Sequence, residues 1–101
     1  MFEKLTEVKN RLEEVDRSLN APSSASDPSF FRKLMKERSR LEPVVSAYDS
    51  YRRAEETITE SENLLQSEKD PEMVEYLKAE ARQAREEKEE LAKRLQLLLL
   101  P

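Results

Sequence analysis

Four glutamates within five positions form the densest group of chemically competent side chains in this sequence: Glu86, Glu87, Glu89 and Glu90. Paired carboxylates can serve as general acid and general base, and they can also hold a cation. Catalysis requires a pocket that raises the pKa of one carboxyl group, and a two- or three-helix hairpin has little room for one. Dense charge in a helical segment is typical of a solvated face. We therefore expect no catalytic and no metal-binding residue here.

The composition removes most other kinds of catalytic site. The 101 residues include no glycine, cysteine, histidine or tryptophan. Without glycine there is no phosphate-binding loop or nucleophile elbow, and without cysteine or histidine there is no thiol chemistry or imidazole base. With 37% hydrophobic and 40% charged residues, the chain matches a long helix or coiled coil. We expect a protein that works by contact, with no cofactor and no small-molecule substrate.

Five cations stand out against the net charge of -4. We call them the basic strip: Arg32, Lys33, Lys36, Arg38 and Arg40. Only Glu37 opposes them, so the segment carries about +4 and the rest of the chain about -8. Such asymmetry is typical of a surface that docks on a phosphate backbone or an acidic protein. In the alternative interpretation, these side chains only solvate a helix whose other face lies in the core.

The aromatic residues allow a similar pair of interpretations. Phe30 and Phe31 could stack on nucleic-acid bases, but they follow a helix start, and we expect at least one of them to be a core anchor. Tyr48, Tyr51 and Tyr76 are expected to pack along the apolar stripe with their hydroxyl groups outward.

The elements that must position these residues are helices. Asp-Pro pairs at 27–28 and 70–71 are helix starts, since aspartate caps a helix and proline fits its first turn. With the apolar spacing they predict a single all-α domain, residues 1–101, with helices at about 2–20, 28–67 and 71–98. We expect a loop at 20–26 and, because proline blocks a helical hydrogen bond, a kink near Pro43. The short second connection predicts a long antiparallel hairpin, with the N-terminal helix packed on it.

The run Leu97, Leu98, Leu99 and Leu100 exceeds what one helical seam can bury. We expect these leucines to contact a following domain, the first helix or a second copy. No stretch approaches the roughly 20 apolar residues of a membrane span, and no signal-peptide core precedes the first helix. We therefore expect a cytoplasmic protein without a membrane partner.

Three stretches together resemble the N-terminal domain of bacterial peptide chain release factors that recognise stop codons directly. They are the helix containing Leu41-Glu-Pro-Val-Val45, the turn Asp70-Pro-Glu-Met73 and the ending Leu95-Gln-Leu-Leu-Leu-Leu-Pro101. The ending is most similar to the branch that reads UAA and UAG. The resemblance implies the first domain of a protein about three times longer. Neither the family's Gly-Gly-Gln loop nor its codon-reading tripeptide has a match here, so no catalytic residue is carried over.

The resemblance also implies partners. In the family this domain is helical and reaches toward the base of the large-subunit stalk, so we expect contacts with ribosomal RNA and protein, and also near a release-factor GTPase. The basic strip fits such a contact. An alternative is a stand-alone coiled-coil oligomerisation module. A tRNA-binding arm of a synthetase would carry more basic charge on both hairpin helices, and an independent enzyme is the weakest alternative.

Overall fold

The computed structural model describes residues 1–101 and contains only helices, which confirms the all-α fold. Four helices follow one another: α1 (Phe2–Leu19), α2 (Pro22–Ala25), α3 (Pro28–Leu65) and α4 (Pro71–Leu98). The chain divides into two compact units, Met1–Ser46 and Ala47–Pro101, and α3 contributes to both. None of the helices has a stretch apolar and long enough to cross a membrane.

Both long-helix starts carry the predicted aspartate cap. The Phe30 amide donates to the Asp27 carboxylate over 3.1 Å, and the Glu72 amide donates to that of Asp70 over 3.3 Å. Each carboxylate thereby satisfies one of the amides that the first helical turn leaves without a partner. These caps explain why α3 and α4 begin at the prolines that follow.

The first unit packs α1 against the first part of α3. The buried side chains of α1 are spaced seven and three residues apart and lie on one face of it: Leu5, Leu12 and Val15. Leu34, Val44 and Val45 of α3 are also buried in this unit. The N-terminal helix is therefore held by an apolar face, as the sequence spacing predicts.

The expectation of a loop at 20–26 is wrong for its central residues, which form the single turn α2. Pro22 begins this turn, where its fixed φ suits a helix and its missing amide costs nothing. The Ser24 hydroxyl is fully buried and lies 2.9 Å from the Ala21 carbonyl and 3.2 Å from that of Leu19. These local bonds stabilise a turn that has no apolar periodicity to reveal it.

Pro43 lies inside α3, which remains one helix through this position. Proline removes the hydrogen bond to the Ser39 carbonyl and costs about 3 kcal/mol in a helix interior. Val44 and Val45 are buried directly after it, and their burial helps to offset that cost. Two separate helices are thus excluded, while the kink near residue 43 stays a prediction.

The second unit is the predicted antiparallel hairpin of α3 and α4. Arg85 pairs with Glu62 at 2.6 Å and Lys88 with Glu55 at 3.4 Å, so positions ascend on one helix as they descend on the other. Small residues occupy much of the buried interior: Ala47, Ala54, Ser61, Ala81 and Ala84. Such side chains permit the two helices to approach each other closely.

The tyrosines of this unit follow the prediction in part. Tyr48 and Tyr51 are each 7% exposed, and cations lie over their rings, Arg52 and Lys88 respectively, each 5.6 Å from the ring centroid. Tyr76 is 58% exposed, so the expectation that it packs with the others is wrong. It lies in the second turn of α4, close to the connection at 66–70.

Candidate interaction surface

The basic strip lies on the part of α3 that belongs to the first unit. Arg32, Lys33, Lys36 and Arg40 are exposed, whereas Arg38 is half-buried. Positions three or four apart are neighbours on a helix, so Arg32, Lys36 and Arg40 follow one another along a single line. The structure thus brings most of the strip onto one solvent-exposed face.

Glu37 does not neutralise that face because α1 binds it. Arg11 donates from Nε to one Glu37 carboxylate oxygen over 2.6 Å and from Nη2 to the other over 2.8 Å. These hydrogen bonds lower the pKa of Glu37, and the Arg11 charge and that of Arg40 act in the same direction against partial burial. The bidentate pairing keeps the carboxylate ionised and directed toward α1.

Arg38 differs from the other members of the strip. Its Nε donates to the Asp16 carboxylate over 2.8 Å, which ties this cation to α1. Arg32, Lys33 and Lys36 make no ion pair. The strip therefore divides into Arg38, which holds the first unit together, Arg40, whose charge acts on Glu37, and three cations available to a partner.

A shallow, largely open groove of about 530 Å³, formed entirely by side chains of α3, runs along the three available cations. Phe31 and Met35 line it as well and are 40% and 41% exposed. Phe30, outside the groove, is 41% exposed. The expectation that at least one of the two phenylalanines is a core anchor is therefore wrong. Leu34 is buried instead, because it alone among the apolar residues at positions 30, 31, 34 and 35 faces the core.

Sequence reasoning missed the apolar part of this surface. Phe31 and Met35 are four residues apart and can share a face, but so can core residues, and the periodic pattern does not distinguish the two cases. The signal that could have separated them is the pair Leu34 and Leu41, which are seven residues apart and follow a neighbouring line of the same helix.

The glutamate group of α4 is exposed at all four positions: Glu86, Glu87, Glu89 and Glu90. Glu87 accepts a hydrogen bond from Gln83 over 3.3 Å, and Glu90 pairs with Lys93 at 3.5 Å. No three acidic side chains come together in a way that could hold a metal ion. These carboxylates belong to a solvated helix face with local partners.

The terminal leucines are unequally covered. Leu95 is fully enclosed, whereas Leu97 and Leu100 are 69% and 65% exposed. Leu98 and Leu99 are half-buried. The end of α4 thus leaves an apolar surface that this chain does not itself cover.

Comparison with known proteins identifies the family. The PCRF domain matches residues 8–101. Peptide chain release factor 1 of Chloroherpeton thalassium is 41% identical over 101 residues, which is all of this chain and 28% of that protein. Proteins of the same name from Agathobacter rectalis and Listeria welshimeri are 42% and 39% identical over the same length, with the same 28% covered. No solved structure matches the chain.

The chain thus spans 28% of the length of these relatives. The matched family covers nearly all of the sequence, including both long-helix starts and the basic strip. The all-α fold agrees with the segment that the sequence motifs pointed to. The chain belongs to the PCRF domain family of peptide chain release factors.

Proposed function

We propose that this chain is the N-terminal interaction arm of a translation termination factor that directs stop-codon-dependent release of the nascent peptide. The arm docks on the ribosome near the base of the large-subunit stalk and carries no catalytic residue. A release-factor GTPase acts close to it, and the protein works in the cytoplasm. The relatives' name, peptide chain release factor 1, supports the general role.

The observation that carries the docking role is the set of unpaired cations on the first unit: Arg32, Lys33 and Lys36. Cations without internal partners lose no ion pair when they meet phosphate, and each contact releases a counterion. Arg40 extends the same face, and Arg38 supports it through Asp16. Ribosomal RNA and its proteins offer both phosphates and acidic side chains.

The exposed leucines of α4 have a separate role in this proposal. Leu97 and Leu100, with the half-buried Leu98 and Leu99, form the contact with a following domain. Burial of two exposed leucines contributes about 1.5–3 kcal/mol each when complete. That contact would hold the arm at a fixed position relative to the rest of the factor.

Charge reversal of the unpaired cations tests the docking role. The triple variant Arg32→Glu, Lys33→Glu, Lys36→Glu should bind ribosomes more weakly than the wild-type chain in co-sedimentation. The slope of its log binding constant against log salt concentration should be shallower by about 2–3, since each of three lost phosphate contacts removes about 0.7–0.9. Circular dichroism checks that the exposed substitutions leave the fold intact.

The matched control reverses three exposed cations of α4 that make no ion pair: Lys78, Arg82 and Arg94. This control changes the net charge equally but leaves the basic strip untouched, so ribosome binding should fall less. Equal ribosome binding by the wild type and the strip variant would mean that the cations of the basic strip only solvate the helix. The absence of any ribosome binding by the wild-type chain would contradict the docking role itself.

A further inference from the structure

The groove beside the basic strip combines charge and apolar surface in a defined order. Phe31, Met35 and Ser39 follow one line of α3 at intervals of four residues, and all three line the groove. Arg32 and Lys36 form the adjacent line, one position further around the helix. A ligand lying along this face would meet an aromatic edge and a row of cations at once.

No carboxylate forms an ion pair with those cations. Glu37 is the only carboxylate between Pro28 and Leu41, and Arg11 holds both of its oxygens at 2.6 and 2.8 Å. Arg11 is therefore a positioning residue that keeps the groove positive. The chemistry of the face favours a polyanion.

Its apolar part is too small for an amphipathic helix. A helix docked in a groove needs a series of apolar anchor sites along several turns. Here the apolar line ends after Phe31 and Met35, because Ser39 takes the next position. A polyanionic chain with one unstacked base needs only an aromatic face and adjacent cations, which is how proteins recognise single-stranded RNA.

We propose that this groove binds an unpaired nucleotide of RNA, with the base against Phe31 and the flanking phosphates on Arg32 and Lys36. The inference rests on the proposed function in that the RNA would be ribosomal. Lys33, also in the groove, adds attraction for the approaching strand.

A direct test uses an RNA hairpin with 2-aminopurine at one unpaired loop position, and the fully paired duplex as its counterpart. The wild-type chain should bind the hairpin more tightly than the duplex and quench the 2-aminopurine fluorescence. Phe31→Leu, which keeps an apolar side chain but removes the aromatic face, should weaken hairpin binding roughly 5- to 150-fold, the range found for one stacked base.

The neighbouring phenylalanine gives a matched control. Phe30 is 41% exposed, as Phe31 is 40%, but it lies outside the groove. Phe30→Leu should therefore bind and quench like wild type. Arg32→Ala with Lys36→Ala should reduce the salt slope by about 1.4, since each single-strand phosphate contributes about 0.7.

A second measurement identifies the partner on the ribosome. The chain with p-benzoylphenylalanine in place of Phe31 is irradiated with bacterial ribosomes, and an adduct to ribosomal RNA is expected. An adduct only to ribosomal protein, or equal hairpin binding by wild type and Phe31→Leu, would overturn the nucleotide site. Ribosome binding that survives such a result would leave the docking role standing. Conversely, Phe31-dependent hairpin binding without ribosome binding would support the nucleotide site and defeat the docking role.

Discussion

Glu37 is the acidic side chain that lies within the basic strip, and its partner on α1 determines when it is ionised. Arg11 is 48% exposed at its side chain and Glu37 25%, so water screens the pair but does not surround the carboxylate. The hydrogen bonds from Arg11 lower the Glu37 pKa. The folded chain therefore binds a proton at this site less readily than the unfolded chain, and folding is favoured at higher pH.

Replacement of Glu37 by glutamine should reveal this linkage. Above the ordinary glutamate pKa of about 4.3 the wild-type chain should be more stable than Glu37→Gln, because only the carboxylate pairs as an anion. As pH falls through the lowered pKa of Glu37, the two proteins should converge. Urea unfolding between about pH 7 and pH 3 measures the difference. Glu13→Gln, an exposed position without an ion pair, is the control, and an equal pH dependence for both variants would contradict the linkage.

At the scale of elements, the end of α4 shows how one helix can combine full burial with wide exposure. Leu95 is 0% exposed and Leu97 is 69% exposed, although they have the same chemistry and lie two residues apart. Residues two apart point to different sides of a helix. This pair therefore separates the contribution of burial from that of leucine's helix propensity, which both positions share.

Leu95→Ala should lower the free energy of unfolding by roughly 2–5 kcal/mol, as expected for a buried leucine that leaves a cavity. Leu97→Ala should change it by no more than about 0.5 kcal/mol, as is usual for surface substitutions. Denaturant unfolding followed by the helical circular-dichroism signal compares the two. Similar losses for both variants would mean that Leu95 is not the enclosed packing residue that the structure shows.

The same elements show what a sequence can predict. Asp27 and Asp70 act locally, through hydrogen bonds to amides two or three residues away. Their role as helix caps could therefore be predicted directly from the sequence. The apolar spacing of α1 also identified its buried face. Ser24 could not be recognised, since its burial depends on the carbonyls of Leu19 and Ala21 in a turn without periodicity.

For the candidate surface, the sequence showed the charges but not their availability. Arg38 and Arg32 look equivalent in a list of cations, yet only Arg38 meets a carboxylate across the first unit. The exposure of Phe31 likewise depends on which face of α3 is covered by α1. Pairing and exposure of this kind arise from contacts between residues more than 20 positions apart, which local patterns do not contain.

At the scale of the whole molecule, charge is divided between the two compact units. Residues 1–46 contain nine basic and eight acidic side chains, whereas residues 47–101 contain nine basic and 14 acidic ones. The first unit is thus close to neutral and carries the basic strip, whereas the second carries a charge of about -5. A polyanion would meet attraction at the first unit and repulsion at the second.

This distribution also bears on self-association. Two copies that paired through their hairpins would bring two surfaces of about -5 together, which is unfavourable at low salt. Leu97 and Leu100 are the residues that could oppose this repulsion, and two exposed leucines offer far less than the roughly 800 Å² per partner of a stable interface. We therefore expect the chain to sediment as a monomer over a wide concentration range.

High salt screens the charge repulsion between two copies but leaves apolar contacts intact, so a dimer would form most readily there. High salt is therefore the strictest test of the predicted monomer. Sedimentation velocity at low and high salt should give one monomeric species in both. A dimer that persists at all concentrations would instead favour the oligomerisation module. Leu97→Gln with Leu100→Gln would then show whether the leucines form its interface, since a dimer held by them should dissociate. A monomer in every condition leaves those leucines free for the contact with a following domain.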